Sequence, residues 1–423
     1  MLRFAPSPTG DMHIGNLRVA LFNYICSVQR EEPLLIRIED TDKDRNIPGK
    51  EKEIFEILAL FGIEYQEEQF QSNNLRFHRA MALQLLQDKK AFNCFCTPQT
   101  LDVKREASKE GKIAYRYDGA CENLHPEEVI DNPLPFTIRL KKPDHSITVT
   151  DIIKGESTFS ADEIDSFILM SADKYPTYNF ACAVDDMLAD VSLIIRSEEH
   201  LSDTPKQIAI HEALGYTKKV EYAHLPIIID DTSTNVKYLL EEGFLPNAIS
   251  NYLILLGNKT PCEIFSLKEA IKWFDLKAIS KAPERFDLDK LKFINREHLR
   301  GLDPKELSRY VGFADEEIGN LAKLFLEEAS TLKELRTKVG AVFAPKNVPD
   351  ELKEGFEVLR VLTQKAPHFD DYESYKEYLI QHSGLKEEDL FKPLRLLLSG
   401  AEHGPEMNDL YTHIKNYLKE VVK

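Results

Sequence analysis

Two hydrophobic rhythms run through the chain. Residues 2 to 5 are a short apolar run that reads as a buried strand. Leu17, Ala20, Leu21, Tyr24, Ile25 and Val28 then recur at i, i+3, i+4 and i+7, which predicts an amphipathic helix. "PLLIRIED" (33 to 40) predicts a second strand with few polar interruptions, as parallel strands buried on both faces have. Pro48 suits a helix start, Ile54, Ile57, Leu58 and Phe61 supply its core stripe, and Gly62 suits its end. Between about residues 70 and 160 this regularity lapses into short helices and alternating strands ("FTIRLKK", "SITVTDII"), read as an insertion. "FILMSADKYPTYNFACAVDD" and "VSLIIRSEEHLSDTPKQIAIHEALG" restore strand, helix and strand, then a helix capped by Ser202 or Asp203. The order points to a doubly wound α/β domain. From about residue 240 the pattern is helical with no strong strand signal, and the stretch to Lys423 reads as a separate helical bundle.

Composition changes this picture only in places. A chain of 423 residues exceeds one hydrophobic core, so two or three domains are expected. No apolar run reaches bilayer length, and "MLRFAPSPTG" lacks the basic and apolar regions of a secretory signal, so a cytoplasmic protein without membrane contact is expected. Six cysteines (26, 94, 96, 121, 182 and 262) in such a chain point to reduced thiols. A net charge of −17 argues, taken alone, against a nucleic-acid partner, yet an acidic average can hide a local basic face. "KAPERFDLDKLKFINREHLR" (281 to 300) is such a stretch: it mixes basic residues with Phe286 and Phe293.

The candidate chemistry begins at "RFAPSPTGDMHIGNLRVALF" (3 to 22). Pro6 and Pro8 cannot donate to a central ladder, and His13-x-Gly15 stands directly before a helical run. In an open α/β sheet, ligands bind outside the carboxyl ends of the strands, and helix N-termini there favour anionic phosphate. Glycine lets a nucleotide approach the backbone, and histidine can donate to phosphate. His-x-Gly alone would be a proline-rich turn with a surface histidine.

It does not stand alone. "RFAPSPTGDMHIGN" resembles the first signature of the class I aminoacyl-tRNA synthetases, the "HIGH" element, in the form of the glutamyl-tRNA synthetase family. "RIEDTD" (37 to 42), "YPTYNFACAVDD" (175 to 186) and "IIRSEEHLSDTPKQ" (194 to 207) match further blocks of that family in order. So do "EGFLPNAISNYL", "ISKAPERFDLDKLKFINREHL", "PLRLLLSG" and "HGPEM", and the resemblance spans nearly the whole chain. It implies a class I Rossmann-type catalytic domain in two halves (1–70 and 166–235), with an inserted α+β acceptor-end domain (71–165) between them. A helical stem-contact region (236–302) and an all-α anticodon-binding domain (303–423) would follow.

The same resemblance implies ATP-dependent activation of L-glutamate and its transfer to the 3′ end of tRNA(Glu). Such a protein needs to position reactants and stabilise charge rather than supply a nucleophile. His13, Gly15 and Asn16 are the implied catalytic signature, and Pro6, Thr9, Gly10, His13, Gly15 and Glu199 the implied ATP contacts, with Mg²⁺ accompanying ATP. Glutamate, with two carboxylates and one ammonium, calls for two cations, preferably bidentate guanidinium forks, and one anion. By resemblance Arg3 and Arg196 are the cations and Glu39 the anion, with Ala5, Ser7, Tyr178 and Cys182 around the amino acid. Cys182 falls where some relatives carry a polar residue, and a buried small residue is the plainer reading. Lys281, Arg285, Lys290, Lys292, Arg296 and Arg300 are candidates for a tRNA face, or simply a solvated charged helix.

Some members of the family bind zinc through a Cys-x-Cys pair with Tyr-x-x-x-Cys; Cys94, Cys96, Tyr117 and Cys121 match, while Asn123 and His125 flank them. Three thiols left from a lost site is the competing reading. The family's second signature, a loop with a Lys-x-Ser-Lys-like core after "HLPII", is missing from "HLPIIIDDTSTNVKYLLEEGFLP" (224 to 246). Either the chain lacks the loop, or the written sequence omits residues near Ile229–Asp230; we expect the omission, visible as a Cα separation far beyond the ~3.8 Å of bonded neighbours. Two further readings follow: a paralogue that charges tRNA(Gln) with glutamate, and a non-catalytic tRNA-binding relative without the loop. A monomer is expected.

Overall fold

The computed structural model describes residues 1–111, 115–231 and 234–423. Twelve strands occur among them: β1 (Leu2–Phe4), β2 (Leu34–Ile38), β3 (Glu67–Phe70), β4 (Ala91–Cys94), β5 (Thr137–Leu140), β6 (Ile147–Asp151), β7 (Gly155–Phe159), β8 (Ile168–Met170), β9 (Leu193–Ser197), β10 (Glu221–Leu225), β11 (Ile228–Ile229) and β12 (Glu284–Arg285). The main sheet has the order β3-β2-β1-β9-β10-β6-β7. Its first five strands are mutually parallel, β6 joins β10 in parallel, and β7 closes the edge antiparallel. Strand order reverses direction at β1/β9, the place where such sheets open a crevice for ligands.

The inner strands are as apolar as the hydrophobic pattern requires. β1 and β2 are buried at every position, and β9 at all but Ser197. The helix expected after the first signature runs Ile14–Arg30, with Leu17, Ala20, Leu21 and Ile25 fully buried. Pro6 and Pro8 find their use as acceptors: the Glu39 and Ile47 N–H groups donate to their carbonyls, each at 2.9 Å. Two stiffened residues with no donors thus tie the end of β1 to the chain that follows β2.

Several expectations shift. The helix expected at Pro48 begins at Lys50 behind Gly49, whose φ of +89° explains the glycine. Asp203 occupies the cap position of helix Thr204–Ala213, but its carboxylate accepts from Asn179 and His200 instead of capping. Within the 71–165 segment, β6 and β7 belong to the main sheet, while β4 and β5 pair with β8 in a separate three-stranded sheet. A strand does exist beyond residue 240: β12 pairs with β11, a two-residue match too short for periodicity to reveal. The chain also passes directly from β11 into Asp230, as a contiguous 423-residue sequence covered from end to end. The 423-residue sequence thus holds no Lys-x-Ser-Lys run between β11 and Val236.

The chain divides into two compact units. One holds Met1–Asn235, Leu253–Pro261 and Leu267–Phe286, with the main sheet. The other holds Val236–Tyr252, Cys262–Ser266 and Asp287–Lys423 and is built of helices, no strand falling in it among the described residues. Within this helical unit, Gly319 on helix Glu316–Leu324 lies against helix Pro304–Tyr310 so closely that a Cβ would stand 1.7 Å from the Pro304 carbonyl oxygen. Gly319→Ala gains about 1 kcal/mol of helix propensity but overlaps backbone, which cannot swing aside. We expect a net loss of about 2 kcal/mol in urea unfolding; an unchanged or higher midpoint would contradict this packing.

Candidate functional site

At the β1/β9 switch point, helix Ile14–Arg30 opens with His13 as its cap. The ring Nδ1 accepts the Gly15 N–H at 3.0 Å, which leaves Nε2 to carry the proton and face outward. Burial lowers the His13 pKa, opposed by Asp230 and Glu199, so the ring is neutral near pH 7 and still offers one N–H. A Cβ on Gly15 would stand 3.2 Å from His13 Nδ1, so glycine keeps the ring in place. His13, Gly15, Asn16, Ser197 and Glu199 line a cavity of about 130 Å³. Asp230, whose side chain is only 3% exposed, stands opposite, its Oδ2 3.8 Å from His13 Nε2. The Thr234 N–H donates to that same carboxylate.

A second cavity of about 550 Å³ is lined by Ser7, Thr9, Glu39, Thr41, Tyr178, His200 and others. Behind it lies a buried ionic cluster. Arg37, 0% exposed, donates to Asp186 at 2.6 Å and to Glu39 at 3.3 Å. Arg3 donates through Nε to the same Asp186 at 3.2 Å. Burial works against every charge here, but Arg3 and Arg37 outweigh it at Asp186 and pull its pKa to about 2, and Asp186 and Glu39 outweigh it at Arg37. Cys182 is held as a thiol by burial and by Glu39, and its Sγ donates to Glu39 Oε1 at 3.1 Å. Burial likewise raises Tyr178, with Cys182 and Glu39 adding to it and Arg196 and Arg3 opposing.

Arg3 and Arg196 stand on adjacent strands, β1 and β9, although neither lines either cavity. They differ in what they have left to offer. Arg3 uses only Nε, so among the described residues both its Nη atoms lack a hydrogen-bond partner and its fork is intact. Arg196 is engaged by His224, Gln207, Thr204 and the His200 carbonyl, leaving at most one of its five N–H groups. The expected pair of bidentate forks is thus a fork and a single donor in this conformation. Ala5, Pro6 and Gly10 line neither cavity; their backbone joins β1 to the helix cap.

Sequence reading missed Asp185 and Asp186. Two adjacent acids closing the apolar run "FACAV" on helix Tyr178–Leu188 were the available signal, because acids on a buried face need partners. Asp185 accepts from Gln71, Asn74 and the ring of His78 at 2.7–2.9 Å. The proposed tRNA-facing cations mostly have acidic partners: Arg285 with Asp231, Lys290 with Glu263, Lys292 with Glu334, and Arg300 with Glu297 and Glu327. These pairs are exposed and weak enough to exchange partners. In the segment around β4, the Cys94, Cys96 and Cys121 sulfurs lie within 4.8 Å of one another. The Tyr117 hydroxyl is 3.3 Å from Cys94 Sγ and 3.5 Å from Cys96 Sγ.

The low pKa of Asp186 has a sign. Its folded value of about 2 lies below the usual carboxylate value of about 3.9, so its stabilisation is complete above that value and is lost as pH falls through about 2. Asp186→Asn should remove that stabilisation at neutral pH and flatten acid unfolding between about pH 4 and 2; an acid-unfolding profile parallel to that of the wild type would refute the assignment.

Comparisons with known proteins place this geometry. A family model described as tRNA synthetases class I (E and Q), catalytic domain, matches residues 1–293. The protein described as glutamate–tRNA ligase 2 of Sulfurimonas denitrificans is 63% identical, and glutamate–tRNA ligase 1 of a Nitratiruptor species 56% identical, each over all of both chains. Both alignments extend over 432 positions, nine more than the 423 residues here. The crystal structure of a glutamate tRNA ligase from Elizabethkingia meningosepticum, described as in complex with its amino acid, superposes with a TM-score of 0.85. It is 28% identical and covers 99% of this chain and 97% of its own. With a signature histidine capping the helix at the switch point of a parallel sheet, and a matching family model over its first 293 residues, this chain belongs to the class I tRNA synthetases of the E and Q group.

Proposed function

We propose that the chain is a glutamate–tRNA ligase that activates L-glutamate with ATP and transfers it to the 3′ end of tRNA(Glu). The observation that carries this reading is that Arg3 and Arg196 stand on adjacent strands at the switch point, where the helix capped by a neutral His13 begins, with Glu39 and Tyr178 lining one cavity. Glutamate brings two negative charges and one positive, and this group offers two guanidiniums and a carboxylate. The Arg3 fork and the remaining Arg196 donor receive the carboxylates, Glu39 the ammonium, and Ser7 and Tyr178 supply further hydrogen bonds. ATP lies along His13, Gly15 and Glu199, with its phosphates toward the N–H groups that open the helix. The glutamate α-carboxylate attacks the α-phosphate and pyrophosphate leaves. A ribose hydroxyl of the tRNA end then attacks the acyl carbon and AMP leaves.

In this chain the protein's share of the phosphate charge rests on the helix start and His13 Nε2–H, because no lysine loop intervenes between Ile229 and Asp230. Magnesium arriving with ATP neutralises phosphate charge. We further propose that tRNA lies along the segment 71–165 at its acceptor end and along 236–423 at its stem and anticodon, with the protein working as a cytoplasmic monomer. The three-thiol cluster with Tyr117 is a soft donor set of the kind that holds structural zinc. Zinc there would tie β4 to the turn at Cys121.

ATP–pyrophosphate exchange in the presence of glutamate and tRNA tests the central reading: exchange should depend on L-glutamate, and its absence would overturn it. Arg196→Ala, which leaves a carboxylate without its cation, should lower glutamate-dependent exchange by at least ~30-fold, and near-normal exchange would remove Arg196 from the site. Metal analysis of protein purified without chelator should find about one zinc per chain; less than about a tenth of an equivalent would count against the site.

A further inference from the structure

Arg196 is 5% exposed, and its hydrogen-bond partners among the described residues are all neutral. Its Nε donates to His224 Nε2 at 3.0 Å, Nη1 to Gln207 at 3.0 Å, and Nη2 to Thr204 at 2.8 Å. For His224 Nε2 to accept, the ring proton must sit on Nδ1. The far side of the ring provides for that: Nδ1 donates to Asp151 Oδ2 at 2.6 Å. Asp151 is itself fixed, accepting the backbone N–H groups of Ile153, Lys154 and His224 at 2.8–3.0 Å. The three residues occupy three adjacent strands, β6, β10 and β9, with His224 beside Arg196 in the parallel register.

We propose that His224 is a positioning residue for Arg196: fixed as the Nδ1–H tautomer by Asp151, it turns the guanidinium so that the remaining Nη1 N–H is presented to the substrate carboxylate. The inference rests on the reading that Arg196 meets glutamate. A proton on His224 Nε2 removes the acceptor and sets a second positive charge against the guanidinium, so Arg196 must turn away. The charged and titratable groups facing His224 are Asp151 from β6, Arg196 from β9, and His200 from the turn after β9, with the Tyr222 ring stacked at 6.4 Å. Burial, Arg196 and His200 all favour the neutral ring, and Asp151 alone opposes them.

The test is calorimetric binding of L-glutamate to the full chain with tRNA present, from about pH 8 down to about pH 5, because burial puts the His224 titration below the ordinary histidine value of about 6.5. Wild-type affinity should weaken on the acid side, where glutamate itself keeps its charges. His224→Gln can still accept from Arg196 Nε and does not titrate; it should bind like wild type at the alkaline end and lose the acid weakening. His224→Leu strands a buried N–H and should bind at least about tenfold more weakly, with ATP affinity unchanged. A folded His224→Leu that binds glutamate like wild type, or a His224→Gln that keeps the wild-type pH profile, would overturn the inference. If the His224→Leu variant does not fold, the His224→Gln profile alone decides. No glutamate binding by the wild-type protein at any pH would instead overturn the reading beneath it, and the inference with it.

Discussion

Three guanidinium groups are buried at the carboxyl edge of one parallel sheet, and every other feature of the site accommodates them. An unpaired charge in such a place costs several kcal/mol, so a partner is obligatory rather than optional. Arg37 receives two carboxylates, Asp186 through Nη1 and Glu39 through Nη2. Arg3 receives half of one, through Nε alone, and keeps its fork. Arg196 receives neutral acceptors directly, and its nearest carboxylate in the hydrogen-bond chain is Asp151, across the His224 ring. The sheet thus holds one structural arginine and two that retain attraction for an anion, and the difference lies entirely in which acceptors surround them.

Asp186 and its neighbour Asp185 make that arrangement rigid. Adjacent residues on a helix point about 100° apart, so the two carboxylates serve different structures. Asp186 faces the sheet and joins Arg3 to Arg37. Asp185 faces Gln71, Asn74 and His78, and Gln71 in turn accepts from Thr41 at 3.0 Å. Asp40 accepts from both the N–H and the hydroxyl of Ser72. The consecutive residues Glu39, Asp40 and Thr41 are therefore each held by a different partner, which is how a segment with no regular secondary structure keeps Glu39 in place.

What was legible in the sequence was whatever depends on neighbours close along the chain. The stripe of Leu17, Ala20, Leu21 and Ile25, the apolar run at 34–38, and the histidine at a helix start are local signals, and all three elements form there. Arg3, Glu39 and Arg196 were singled out only because whole blocks resembled a family, since nothing local distinguishes a buried arginine from a surface one. The pairs that fix them span 183, 149 and 28 residues (Arg3 with Asp186, Arg37 with Asp186, Arg196 with His224) and cannot be read from spacing. The same applies to β6 and β7, whose alternating pattern predicts strands but not which sheet they join.

The connection after β11 bears directly on the helix start. The exposed N–H groups and dipole there attract one anion, and a negative group is already at hand: Asp230, almost wholly buried and 3.8 Å from His13 Nε2. Two unit charges about 4 Å apart near a protein surface interact by about 4 kcal/mol. A triphosphate and Asp230 in its present position would repel one another on that scale, whereas either one alone is stabilised by the same helix. The segment carrying Asp230 meets the helix start where the Thr234 carbonyl accepts from the Ile14 N–H at 3.3 Å and where His13 and Asn235 form an isolated bridge. Displacing it exchanges one anion for another at the helix start, so the attraction that seats Asp230 there is also what a phosphate would use to replace it.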